Sequence, residues 1–362
     1  MLPIRNNLFR LLLISAAFTS CKKDPDAGIP PPDISAPGRK MLVLNQGLFN
    51  MNNTTLSLYS FERAEVLTND LFAYQNQRGL GDTGNDMAIY GTRVYIVMST
   101  SSQVEVSDMV GKSIKRIPLF TADNKPRQPR SIAFHAGKAY VCSFDGTVAR
   151  IDTASLTVEA VTAVGRNPDG ICVSGNKLYV SNSGGLDFPN YDSTVSVVGL
   201  AEFREIKKIG VRMNPYTIAA DAYGDVYVAS RGNYANVKYC LQRIDTRTDE
   251  LVQTFDNLKT LSFVIYNDRA YSYNYDFNLN TTSFEVLNVK TEQIETEQFI
   301  TDGTTLSKPF GIAVDPVTED VYIADAGNYT VNGDVFCFSK TGMKKFKTTV
   351  GMNPQKMIFI EN

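Results

Sequence analysis

A closed ring of seven four-stranded antiparallel β-sheets is the fold this sequence predicts, and three observations predict it. One phrase returns along the chain: NPDGICVSGNKLYVSNSGG from Asn167, NPYTIAADAYGDVYVASRGN from Asn214 and KPFGIAVDPVTEDVYIADAGN from Lys308. Its marker residue is Pro129, Pro168, Pro215, Pro309 or Pro354, with Gly84 and Thr260 standing in, at intervals of 39 to 49 residues. Short runs of Val, Ile, Thr and Tyr lie between Gly, Asn, Asp and Pro turns, and no 3.6-residue apolar period follows residue 40, so each unit reads as strands. The ends complete each other. Residues 353–362 supply only the first strand of a seventh unit, while 41–46, 56–61 and 65–70 supply the other three. Four strands per ~45-residue unit make a propeller blade. The expected fold is therefore an all-β, seven-bladed β-propeller over 41–362, closed by a blade shared between the N- and C-termini.

Taken in order, the chain opens with an address. Arg5 and Arg10 bracket the start of an apolar run over residues 8–18, too short for the ~20 residues that span a bilayer as a helix. It reads as a secretory leader over residues 1–21, ending in Ala16-Ala17-Phe18-Thr19-Ser20-Cys21, small residues before a single Cys. The alternative is an ordinary signal peptide that happens to contain Cys. Residues 22–40 are rich in Pro, which favours extended conformations and reads as a semi-rigid tether.

The propeller units then follow a common plan. An apolar residue in the first strand is followed about eight positions later by Tyr in the second, as in Met87/Tyr95, Ile132/Tyr140, Ile171/Tyr179, Ile218/Tyr227, Phe263/Tyr271 and Ile312/Tyr322. In the second unit the outer strands are 147–151 and 157–162, and in the third 193–198 and 204–209. A ring leaves no open sheet edge for another chain to pair with.

Composition narrows the function. The chain has 362 residues and a net charge of −2, with no basic face of the kind nucleic acid needs. Trp is absent, which removes the Trp-Asp signature of WD repeats. Cys142, Cys172, Cys240 and Cys337 fall in predicted strands at no metal-like spacing and read as small buried hydrophobes. His135 falls at a tight turn without an acidic or Cys partner beside it. No cofactor, no metal and no catalytic residue is expected, and the folded part is expected to be monomeric. A calcium-dependent lactonase or lyase, with Asp86, Asp169 and Asp325 converging on the axis, is the enzymatic alternative.

With strands a to d running outward from the axis, the d–a and b–c connections emerge on one face. The b–c exits are long and polar, at 45–53, 182–192, 230–238, 273–280 and 325–333, whereas the a–b turns at 136–137 and 175–176 are tight. Long loops on a rigid scaffold are where binding usually resides. The candidate ligand-binding residues on this face are Arg130, Arg166, Asp169, Asn182, Tyr216, Arg231, Asn233, Tyr275, Phe310, Asp325, Asn328 and Gln355. Aromatics with Arg and Asn anchor ligands through apolar area and directed hydrogen bonds; taken singly, the Asn and Asp also suit turns. The residue after each marker, Asp169, Tyr216, Phe310 or Gln355, varies while its surroundings repeat, so function is expected there.

The segments LYVSNSGG, STVSVV and NPYTIAAD resemble YVTN-type propeller repeats, as found in the YncE-like family. Residues 44–60, LNQGLFNMNNTTLSLYS, are similar to the opening of Bacteroides-type surface-lipoprotein propellers, and the leader, Cys21 and tether resemble the same group. The resemblance implies lipidation at Cys21 and display on the outer membrane or cell surface. It also implies a non-enzymatic role: capture of a small molecule such as a corrinoid (cobalamin), in concert with an outer-membrane transporter. Adhesion to a protein or glycan is the alternative.

Overall fold

In the computed structural model, residues 33, 34 and 37–361 other than Asn278 are described. The expected leader over 1–21, with Cys21, lies outside them, as does most of the expected tether. From Ile34 onward the chain forms one compact unit. No helix among the described residues is long and apolar enough to cross a membrane.

Among the described residues, 28 strands fall into seven four-stranded antiparallel sheets. Six blades follow in chain order over 84–118, 129–163, 168–210, 215–255, 262–296 and 309–352. The seventh takes its innermost strand, Pro354–Ile360, from the C-terminus and the other three, Lys40–Asn45, Thr55–Ser60 and Glu65–Thr68, from the N-terminus. The register runs from Lys40 opposite Ile360 to Asn45 opposite Pro354. The propeller thus begins one residue before the expected boundary. Arg39 is already part of it, pairing with buried Asp315 at 2.5 Å and lying 5.0 Å from the Phe61 ring centroid.

In six blades the Tyr of the second strand fills the wedge between blades. Tyr95, Tyr140, Tyr179, Tyr227, Tyr271 and Tyr322 are all buried. Each sits in an apolar cluster with the neighbouring blade, as Tyr179 does with Ile218 and Val226 and Tyr322 with Met41 and Met357. A fully buried large side chain of this kind contributes about 1.5–3 kcal/mol. In a chain without Trp, Tyr carries this inter-blade packing.

Two expectations are corrected. The predicted fourth strand at 65–70 stops at Thr68, and Asp70 instead caps a helix over Leu71–Asn76, accepting from the Ala73 N–H at 3.0 Å. Leu71 and Phe72 then fill the joint between seventh and first blades; tertiary burial, not periodicity, makes this one turn helical. In the fifth blade, Arg269–Asp276 continues as strand through the first half of the expected 273–280 loop.

Buried polar side chains on the third strands receive the N–H groups of the links between blades. The Arg212 N–H donates to Gln242 at 2.7 Å and the Gly165 N–H to Ser196 at 3.3 Å. In the fifth blade this position is Glu285, and burial pushes its carboxyl up to about 7. A carboxyl whose folded pKa is raised adds stability that is full below its unfolded value near 4.5 and lost as pH rises through 7. Glu285→Gln is expected to leave stability unchanged near pH 4.5 and to raise it by roughly 3 kcal/mol at pH 8. Denaturant unfolding at both pH values checks this; equal effects would remove the assignment.

Candidate functional site at the axial funnel

The marker turns share a geometry. Thr83, Gln128, Asn167, Asn214 and Asn353, each preceding a marker, take left-handed φ values between 44° and 61°, which Asn tolerates better than most residues. Their carbonyls accept the N–H of the residue leaving the second strand: Ser99, Phe144, Ser183, Arg231 and Gln46 donate at 2.8–3.2 Å. Lys308 and Ala326 repeat the bond at 2.9 Å. The d–a turn is thereby fastened to the b–c exit in six blades.

A bulge follows. Pro168 pairs with Asn182 and Gly170 with Ser181, so Asp169 has no partner across the ladder. The same shift leaves Asn85, Arg130, Phe310 and Gln355 unpaired, and in the fourth blade Tyr216 and Thr217 together oppose Ala229. Bulges re-aim side chains; here they turn the variable residue toward the axis. Only the fifth blade lacks the device, its ladder opening directly at Ser262–Tyr273.

The result is a funnel of about 320 Å³ on the d–a/b–c face. Its wall has two unlike halves. Blades seven, one, two and three present Gln46, Asn85, Asp86, Ser131, Asp169, Gln355 and Lys356, while blades four, five and six present Tyr216, Arg231, Tyr234, Tyr273, Phe277, Phe310 and Tyr329. On the polar side, Asp86 accepts from Ser131 Oγ at 2.8 Å and the Ile132 N–H at 3.1 Å, and pairs with Lys356 at 3.1 Å. Asp169 accepts from Arg130 Nε at 2.8 Å and Ser183 Oγ at 2.9 Å, and Arg130 lies over the Phe144 ring at 4.3 Å. Gln355 Nε2 donates to the Asn85 carbonyl at 2.8 Å. On the aromatic side, Arg231 stacks on Tyr216 at 3.2 Å from the ring centroid, and Phe310 meets Tyr329 edge-on at 6.0 Å.

Of the sequence-predicted residues, the structure brings Asp169, Tyr216, Arg231, Phe310 and Gln355 together in the funnel, with Arg130 directly behind Asp169. The others lie elsewhere. Asn182 is fully buried inside its blade, accepting from the Gly165 N–H and donating to Thr194 and Ser196. Asp325 accepts from the Ser307, Lys308 and Gly327 N–H groups, so it holds a link and does not converge with Asp86 and Asp169. Asn233 and Asn328 organise their own turns, accepting from Val237 and Thr330. Arg166 pairs with Asp187 at 2.7 Å and Asp192 at 3.7 Å and pins the 183–193 loop. Tyr275 is buried in a strand, its hydroxyl bonded to Asn280 and approached by the Lys308 ammonium. No group of three or more His, Cys, Asp or Glu among the described residues could hold a metal ion.

Sequence reading missed Asn85, Ser131, Thr217, Ser262, Phe277 and Lys356. All but Phe277 follow a marker by one or two positions, so the signal that found Asp169 would have found them. Phe277 belongs to a rim. The five most exposed large apolar side chains among the described residues are Phe49, Met51, Leu186, Phe188 and Leu279, each 62–72% exposed. All lie on b–c loops around the funnel mouth. Asp82 fixes one such loop by accepting from the Asn50 and Asn52 N–H groups at 3.2 and 3.1 Å.

The sequence model of a family described as "Domain of unknown function (DUF5074)" matches residues 39–355. The chain belongs to this family. No curated protein matches it. Among solved structures it is similar to a functionally unknown protein from Desulfotomaculum acetoxidans, at 11% identity and a TM-score of 0.65, covering 90% of this chain and 99% of that one. A quinonprotein alcohol dehydrogenase-like protein from Bacteroides thetaiotaomicron is similar at 13% identity and a TM-score of 0.65, with 88% and 77% covered. Hydrazine synthase from Kuenenia stuttgartiensis is similar at 13% identity and a TM-score of 0.60, with 75% and 93% covered. At these identities the likeness concerns the fold.

The close approach of inner strands at the funnel gives a stability prediction. A Cβ on Gly170 would lie 2.4 Å from the Tyr216 carbonyl oxygen, and one on Gly311 2.2 Å from that of Gln355. Backbone cannot step aside as a side chain can, so Gly170→Ala or Gly311→Ala is expected to cost about 1–3 kcal/mol. Gly137→Ala has open space and differs in suffering only from its positive φ. Denaturation midpoints of the first two at or above the wild-type value would contradict the packing described.

Proposed function

We propose that this chain is an exported, non-enzymatic binding protein that captures an amphipathic ligand at the axial funnel. The observation that carries the reading is the two-sided wall, hydrogen-bonding over blades seven to three and aromatic over blades four to six. Concave sites lined by aromatics with a few placed polar groups are the usual form of a small-molecule site, and ~300 Å³ is the lower end of their size range. A large ligand would seat one end in the funnel and lie across the apolar rim. Both funnel carboxylates are engaged by cations and hydroxyls, which suits recognition better than proton transfer.

A corrinoid is the first ligand to test. It is amphipathic and amide-rich. The leader, Cys21 and residues 44–60 resemble Bacteroides-type surface lipoproteins, among which those that seize cobalamin for an outer-membrane transporter are similar in size, tether and blade count. Titration calorimetry of cyanocobalamin into the folded protein is expected to give saturable heat, weakened about tenfold in Tyr216→Ala, the scale of a lost anchor. No heat at micromolar protein would remove the corrinoid and leave a protein or glycan partner to be sought on the rim. Anchoring is tested separately: Cys21→Ser is expected to move the protein from the membrane pellet to the soluble fraction, and unchanged fractionation would end the lipoprotein reading.

A further inference from the structure

The funnel's two carboxylates are each matched by a cation: Lys356 stands 3.1 Å from Asp86, and Arg130 stands 2.8 Å from Asp169. Arg231 has no such match among the described residues. Its Nε donates to the Leu261 carbonyl at 3.2 Å, and its guanidinium carbon lies over the Tyr216 ring, 3.2 Å from the centroid. Among the described residues no group accepts from Nη1 or Nη2, and Arg231 lines the funnel. A half-buried charge without a counter-charge is costly. A guanidinium fixed on two sides presents its remaining N–H fork at little entropic cost, and that fork fits an oxyanion bidentately.

A second feature leads outward from the same place. Tyr234, on the funnel wall beside Arg231, meets Phe277 edge-on at 5.9 Å and Tyr191 at 6.1 Å, and Tyr191 meets Phe188 at 6.0 Å. These rings form a continuous aromatic track from the funnel wall to the exposed rim.

We infer that the funnel takes the anionic end of its ligand, an oxyanion such as a carboxylate or phosphate, on the Arg231 fork, with the ligand's apolar body lying along the Tyr234–Phe277 track. The inference rests on the funnel being the ligand site and adds the charge and orientation of what enters it. Neutral amphiphiles lose the fork, and cationic ones meet a like charge.

The chain contains no Trp, so fluorescence of 8-anilinonaphthalene-1-sulfonate reports binding without tryptophan emission beneath it. Wild-type protein is expected to bind this sulfonate saturably and at least about tenfold tighter than N-phenyl-1-naphthylamine, the same body without the anion, a bidentate charge-assisted pair being worth that much. Arg231→Ala is expected to abolish the difference, Arg231→Lys to restore part of it, and Phe277→Ala to weaken both probes alike. Displacement by 1-naphthoate and by 1-naphthyl phosphate, with 1-naphthol as the neutral control, distinguishes carboxylate from phosphate. Circular dichroism and thermal midpoints establish that each variant is folded. Equal affinity for the two probes, or an unchanged sulfonate affinity in folded Arg231→Ala, would overturn the inference. Arg231-dependent sulfonate binding without heat from cyanocobalamin would sink the corrinoid alone. Cyanocobalamin binding that is indifferent to Arg231 would sink the anion assignment alone.

Discussion

The pairing of Pro354–Ile360 with Lys40–Asn45 is the contact on which the rest of this structure depends. Each blade packs only against its two neighbours through an apolar cluster, so stability is passed round the ring from blade to blade. Without the closing strand, the seventh blade would lose the element nearest the axis, and the edge of Lys40–Asn45 would lie open to another chain. The funnel would also lose Gln355 and Lys356, and with Lys356 the counter-charge of Asp86. Closure therefore fixes the electrostatics of the axis as well as the fold.

Within the closed ring, the bulge that follows the marker in six blades separates scaffold from funnel wall. The ladder and the wedge of Tyr and aliphatic side chains constrain the paired residues on both sides. The bulged residue is released from cross-strand pairing, and its side chain faces the axis. Chemistry can vary there without disturbing a blade, as Asn85, Arg130, Asp169, Tyr216, Phe310 and Gln355 illustrate. The residue one step further on is held differently. Gly170 and Gly311 sit where a neighbouring inner strand's carbonyl leaves no room for a Cβ, so the floor of the funnel is set by backbone approach.

Charge on the axis follows from that arrangement. Opposite charges on adjacent inner strands meet in pairs, Asp86 with Lys356 and Asp169 with Arg130, whereas Arg231 comes from a b–c exit and reaches the wall from the side. Its supports are an aromatic face and a backbone carbonyl. That difference in origin leaves its fork to the funnel and joins a cation unmatched among the described residues to the aromatic half of the wall.

The repeat, the blade count and the shared blade were legible in the chain, because period and strand composition are local properties written seven times over. So was the placing of Asp169, Tyr216, Phe310 and Gln355, which vary at a fixed position in a repeating phrase and all line the funnel. What the sequence could not separate was an Asn or Asp that lines the funnel from one that holds a turn. Asn182, Asn233, Asp325 and Asn328 are the same residue types on the same face, yet their oxygens are taken by nearby N–H groups, and only three-dimensional hydrogen bonding reveals this. The helix at Leu71–Asn76 was hidden for a related reason: one turn has too few residues to show a period, and burial of Leu71 and Phe72 between blades decides it. The composition of the wall was likewise a matter of tertiary structure. Residues some 270 positions apart, such as Asp86 and Lys356, become neighbours only when the ring closes, and closure alone divides the funnel into a polar half and an aromatic half.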